Sequence, residues 1–257
     1  RELARALAGE PGAHLILHGR SPERLARLAA ELAPAPARVT TVRADLAELA
    51  QVRALAREIA AASERIDVLV NNAGVGFGAP DPDERTLTVD GNELRFAVNY
   101  LAPFLLTRGL LDRLEAAAPA RIVNVASIGQ ADVDFDDPTL AAGYDGRRAY
   151  GQSKLALIMD TLTLAARLPA ERVTANSLHP GTFMPTKIVL ESIGHSVDSL
   201  ETGVATTLRL IGSPELDGVS GRFFDRFEEA RARDQAYDAA ARERLLELSE
   251  RLTGAPR

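Results

Sequence analysis

The 257-residue chain has no cysteine and no tryptophan, and its four histidines (His14, His18, His179 and His195) are widely separated. Lack of cysteine excludes disulfides and thiolate metal sites, and scattered histidines give no compact ligand motif, so no metal is expected. A reducing compartment suits such a composition, and a cytoplasmic location is the expectation. No apolar run approaches the roughly 20 residues that a membrane span needs. There is no basic patch either: 30 basic residues against 36 acidic ones give a net charge of −6, and the basic residues are spread along the chain. Nucleic acid is therefore not an expected partner. With 46% hydrophobic and 26% charged residues, and no linker or repeat, the chain reads as one globular domain over residues 1–257.

What is present is an alternation of strands and helices. RELARALA reads as the back half of an amphipathic helix, and the apolar HLILHG after it as a strand buried on both faces. Ser21 and Pro22 then open a helix as cap and first residue. Further strands are read in RVTTVR, IDVLVNN, RIVNVAS, RVTANSLH and GRFF, with helices at about 47–62, 91–116, 147–168 and 236–253. This order predicts an α/β fold built on a doubly wound parallel sheet, with ligands beyond the carboxyl ends of the strands.

Several residues fall where chemistry is expected. Tyr150 and Lys154 are four apart on a helix and share a face, so the ammonium can favour ionisation of the phenol. Ser127 directly follows an apolar strand, where its hydroxyl can hold a carbonyl oxygen. Asn99 precedes Pro103 by four residues; the proline has no N–H to offer the Asn99 carbonyl, which predicts a kink and a free acceptor. Singly, each has an ordinary structural explanation: helix surface, turn cap, packing kink.

Together with NNAG at 71–74, these motifs resemble the short-chain dehydrogenase/reductase family, over nearly the whole chain and in the family's order. The resemblance implies a Rossmann-like sheet and a catalytic tetrad of Asn99, Ser127, Tyr150 and Lys154. Tyr150 would exchange a proton with the substrate oxygen, Ser127 orient it, Lys154 lower the Tyr150 pKa and contact the ribose, and Asn99 hold a relay water. Family members begin with a strand and a glycine-rich phosphate loop, and RELARALA looks like the helix after that loop. The first strand is thus expected to be missing, leaving two unpaired strand edges. GVGFG at 74–78 is no substitute, because it follows a later strand.

The same resemblance implies a nicotinamide cofactor held by Arg20, Ser21, Asp45, Leu46, Asn71, Ala73, Gly74, Tyr150, Lys154, Pro180, Gly181 and Thr186. The strand before HGRS ends without a carboxylate and with Arg20, which favours the 2′-phosphate of NADP(H) over NAD(H). His179 reads as a satisfied loop residue. Ser127 and Tyr150 are 23 positions apart, and the extra stretch, with its DVDFDDP, resembles the retinol-dehydrogenase-like branch. That implies an apolar small-molecule carbonyl or alcohol as substrate. Residues 182–200 would cover it, with Met184, Ile188, Val189, Leu190 and Ile193 either facing the substrate or packing on the core. One extra residue before Thr186 leaves its carboxamide contact open. The alternatives are an NADP-sensing protein without turnover and an extended-branch epimerase or dehydratase. From the resemblance, helices 91–116 and 147–168 would pack between subunits of a homodimer or homotetramer.

Overall fold

The computed structural model describes residues 1–78, 81–186, 189–190 and 194–255. Its first half runs α1 (Glu2–Ala8), β1 (His14–Gly19), α2 (Pro22–Leu32), β2 (Arg38–Arg43), α3 (Leu49–Ala62) and β3 (Val68–Asn71). Ser21 caps α2 as expected, its Oγ accepting from the Arg24 N–H at 3.2 Å, while Leu25 and Leu32 turn inward. After β3 come α4 (Leu94–Phe96), a π-helical turn (Ala97–Leu101), α5 (Ala102–Gly109), α6 (Leu111–Ala117), β4 (Ala120–Val125) and α7 (Gly146–Arg167). The chain then forms β5 (Val173–His179), α8 (Leu200–Gly212), β6 (Phe223–Asp225), β7 (Glu228–Ala230) and a C-terminal helix (Ala239–Thr253).

The strands form two sheets, β1-β2 and β3-β4-β5-β6-β7, parallel throughout except for the β6–β7 hairpin. Among the described residues β1 pairs only with β2, and β3 only with β4, so the two expected unpaired edges are present. The expectation that HLILHG is buried on both faces is corrected here. All six β1 residues are half-buried, whereas β5, flanked on both sides, is buried throughout. An open edge admits water to the strand that borders it. The sheet pieces nevertheless share one core, in which Ile16 and Val42 join Phe104, Leu155 and Leu245.

Side chains of β4 alternate between layers. Val123 and Val125 pack on Leu210 of α8, while Asn124 points the other way and donates to Thr161 of α7 at 2.8 Å. The single helix expected at 91–116 is broken instead into α4, the π turn, α5 and α6. Pro103 explains the first break: the Asn99 carbonyl has no N–H four residues on, and the ladder widens so that the Ala102 N–H reaches back to Ala97. Helix α8 and strand β7 were not foreseen.

One side of α5 and α7 is covered by the chain's own C-terminal part. The C-terminal helix buries Leu245, Leu246 and Leu248 among Phe104, Leu105, Ile158 and Met159, each leucine contributing roughly 2 kcal/mol. Its Ser249 Oγ lies 2.5 Å from the Tyr100 hydroxyl of the π turn. Arg108 of α5 and Asp160 of α7 form a twin-bonded ion pair beneath it, at 2.8 and 3.2 Å.

Candidate active site

Two strand ends, the π turn and one helix build the site. Ser127 follows β4, Gly74 follows β3, Asn99 sits in the π turn, and Tyr150 and Lys154 stand on successive turns of α7. Ser127 is 8% exposed and lies beside Tyr150, a Cβ at Gly129 standing 3.4 Å from Ser127 Oγ and 3.8 Å from a Tyr150 ring carbon, and its Oγ accepts from the Gly129 N–H at 3.0 Å. The Asn99 amide donates to the Val75 carbonyl at 3.0 Å and to Ser153 Oγ at 2.9 Å, and its oxygen accepts from the Val75 N–H at 2.7 Å. Ser153 in turn donates to the Tyr150 carbonyl at 2.7 Å. Asn99 thereby ties the β3 exit loop to the helix that carries Tyr150.

Lys154, expected to lower the Tyr150 pKa, has its Nζ donating to the Val125 carbonyl at 2.8 Å and lying 5.7 Å from the Tyr150 ring centroid. Burial pushes the Tyr150 phenol up, and the Ser127 hydrogen bond only partly offsets this. Burial also draws Lys154 down from 10.5 to about 8. In the unfolded chain the lysine returns to 10.5, so between pH 8 and 10.5 the unfolded state holds the extra proton, and this group's contribution to stability rises with pH. The rise amounts to about 3 kcal/mol. Lys154→Met is expected to flatten that rise in thermal melts taken across the window; parallel wild-type and variant curves would contradict burial as its cause.

Two residues that the sequence did not single out position Ser127. Gln130 donates to the Ser127 carbonyl at 2.9 Å and accepts from the Arg233 N–H at 2.9 Å. Gly151 lets that loop lie against α7, since a Cβ there would stand 2.9 Å from the Ala131 nitrogen. The extra stretch before Tyr150 is fastened to the chain's C-terminal part: Asp132 pairs with Arg233 at 2.7 Å, and Val133 and Gln235 exchange two hydrogen bonds.

At the other end, Arg20 is exposed and lies 3.7 Å from the Asp45 carboxylate. Ser21 Oγ donates to Glu23 at 2.7 Å besides capping α2. A second cation, Arg43, was missed; it pairs in register with Gly19 and donates to the Arg20 carbonyl at 3.3 Å. Register between two strand ends was its only signal. Leu46 is buried in the core and Ala73 is exposed. The Asn71 side chain turns away to Thr107 and Asn124, at 3.2 and 2.8 Å. Pro180 and Gly181 are buried, and His179 is held by Thr182 at 3.1 Å. The Thr186 N–H donates to the Met184 carbonyl at 2.6 Å. Met184 packs its sulfur on Gly203 of α8, Val189 is half-buried and Leu190 is exposed, while Ile188 and Ile193 lie outside the described residues.

This arrangement can hold an oxygen between two hydroxyls and feed it a proton, and the family model of the short chain dehydrogenases matches residues 1–193. The chain belongs to that family. Retinol dehydrogenase 13 of Mus musculus is 37% identical over 235 residues, 84% of this chain and 69% of the relative. Retinol dehydrogenase 14 of Homo sapiens is 38% identical over 224 residues, 82% of this chain and 65% of the relative. The chain thus spans about two thirds of the length of these relatives. Among solved structures, the Pseudomonas aeruginosa RhlG complex with NADP is 28% identical, with a TM-score of 0.67 over 87% of this chain and 88% of that one. As a short-chain dehydrogenase/reductase of the retinol-dehydrogenase-like branch, the protein is a nicotinamide-dependent oxidoreductase. Among the described residues no helix is long and apolar enough to cross a membrane, and no cluster of side chains could hold a metal ion.

Proposed function

We propose that this short-chain dehydrogenase/reductase prefers NADP(H) and interconverts an apolar aldehyde or ketone with its alcohol. The observation that carries the reading is the adjacency of Ser127 and Tyr150 beyond the end of β4, both within 4 Å of a Cβ built at Gly129, with Asn99 and Lys154 buried.

The residues present fit a bound nicotinamide. A Cβ at Gly74 would stand 3.1 Å from Asn99 Oδ1 and 3.8 Å from Lys154 Nζ, so glycine alone leaves the main chain there open to a bound group. Lys154 and Tyr150 would hold the ribose, Asn71, Ala73 and Gly74 would offer main chain, and Pro180, Gly181 and Thr186 would meet the carboxamide. Arg20, Ser21, Asp45 and Leu46 would take the adenosine end. When bound, the nicotinamide supplies or accepts the hydride.

Every other step falls to the protein. Ser127 holds the substrate oxygen and Tyr150, kept protonated at neutral pH by its burial, donates to it as the carbonyl carbon is reduced. Lys154, with its pKa drawn down to about 8, can restore the proton, and the Asn99 carbonyl, deprived of an α-helical partner by Pro103, can hold the relay water. The described residues within 182–200 would cover the substrate, a reading supported by the exposed Phe183, Leu190 and Val197.

Titrating NADPH and NADH into the protein tests the cofactor choice. NADPH should bind more tightly, and Arg20→Glu should remove about tenfold of that preference, roughly 1.4 kcal/mol. Equal binding of the two by the wild-type protein would refute the preference.

A further inference from the structure

A buried charge set outside the tetrad is not used by this chemistry. Arg95 and Glu93, at the start of α4, are 0% and 1% exposed, a costly placement for charges unless their hydrogen bonds are filled. Glu93 accepts from the Phe96 N–H at 2.8 Å and from the Tyr144 hydroxyl at 2.9 Å. Arg95 donates to Tyr144 and to Glu93, and spends its other donors on one loop: the carbonyls of Gly76 at 2.9 Å, Phe77 at 3.0 Å and Asp81 at 3.3 Å.

That loop carries an aromatic wall of the site. The Phe77 ring meets Tyr150 edge to face at 5.9 Å, and the Arg147 guanidinium lies 5.3 Å from its centroid. From the other side the loop is pressed onto the start of α7, where a Cβ at Gly146 would stand 2.8 Å from the Phe77 carbonyl. Phe77 is only half-buried, and its ring is the neighbour of the Tyr150 ring.

We infer that Arg95, seated on Glu93 and Tyr144, is a positioning residue that sets Phe77 as the substrate-selecting wall of the site. This rests on the reading of Tyr150 as proton donor to a substrate. Arginine suits the task because its planar fork serves several carbonyls at once, whereas a lysine is a single point donor. The site then selects for extended apolar carbonyl compounds that lie against the Phe77 ring, over short ones that do not reach it.

The test compares wild-type protein with Arg95→Lys, Phe77→Ala and the double variant, using NADPH with decanal and propanal, and amide hydrogen exchange over residues 76–78. Arg95→Lys should speed that exchange about tenfold and lower the decanal-to-propanal ratio of kcat/KM by about tenfold. Phe77→Ala should lower the ratio equally, and the double variant no further, because both act through one ring. Tyr144→Phe, which deletes a single hydroxyl, should shift the ratio the same way if Arg95→Lys fails to fold. Unchanged exchange in Arg95→Lys, or a double variant whose loss is the product of the single losses, overturns the inference. Should Tyr150→Phe still reduce either aldehyde, the proton-donor reading fails separately, and the exchange result still decides whether Arg95 holds the loop.

Discussion

Replacing Tyr150 with phenylalanine is expected to lower hydride transfer by about 10³-fold, within the range for loss of a general acid. The phenol lies beside Ser127 and carries its proton at neutral pH, so it can give that proton to a carbonyl oxygen held by both residues. Removing the hydroxyl leaves the ring, its edge contact with Phe77 and the Ser127–Gly129 bond in place. The variant should melt near the wild-type temperature. Stopped-flow or steady-state assays with an apolar aldehyde supply the measurement. A variant within tenfold of wild type would show that another group delivers the proton. Ser127→Ala offers the natural companion: its loss should be smaller, because it removes one of two hydroxyls at the oxygen and leaves the donor.

The second large effect concerns stability. Asp160→Ala should cost about 3–5 kcal/mol, because it strands the Arg108 guanidinium in a nearly dry layer between α5, α7 and the C-terminal helix. Arg108 is 12% exposed and Asp160 4%, and the guanidinium also lies 3.4 Å from the centroid of the Phe104 ring. Against a domain stability of about 5–15 kcal/mol, that loss would bring unfolding to low denaturant. Urea melts of Asp160→Ala and of the double variant Arg108→Met/Asp160→Ala make the argument specific. The double variant should recover part of the loss, since no unpaired charge then stays behind. Equal losses in the two would mean that packing, not the stranded charge, sets the cost.

Much of the site was legible because local rules govern it. Tyr150 and Lys154 share a face by helical spacing alone, Ser127 follows an apolar strand, and Pro103 announces the irregularity at Asn99 through an N–H it does not have. What that irregularity becomes was not local. A kink and a π turn both answer a missing donor, and packing of Tyr100 and Phe104 against the C-terminal helix accompanies the π turn. Lys154 shows the same division. Spacing put it on one face with Tyr150, while its bond to the Val125 carbonyl and its burial, which lowers its pKa, were decided by the fold. Glu93 and Arg95 were invisible for another reason: two charged residues in NELRF look like surface, and only tertiary contact shows them buried with Tyr144, some 50 positions on.

By itself, then, the order of residues determined the alternating α/β elements, the cap of α2 and the strand-end place of Ser127. These follow from periodicity, hydrogen-bond arithmetic and the pleat, which act over a few residues. Tertiary structure alone decided the sense of the Tyr150 and Lys154 pKa shifts, the glycine-tight seat of the Ser127 loop on α7 and the fastening of 132–136 to 233–244. It also laid the C-terminal helix against α5 and α7. Each of these depends on which distant groups exclude water from one another, and no local pattern in the chain encodes that.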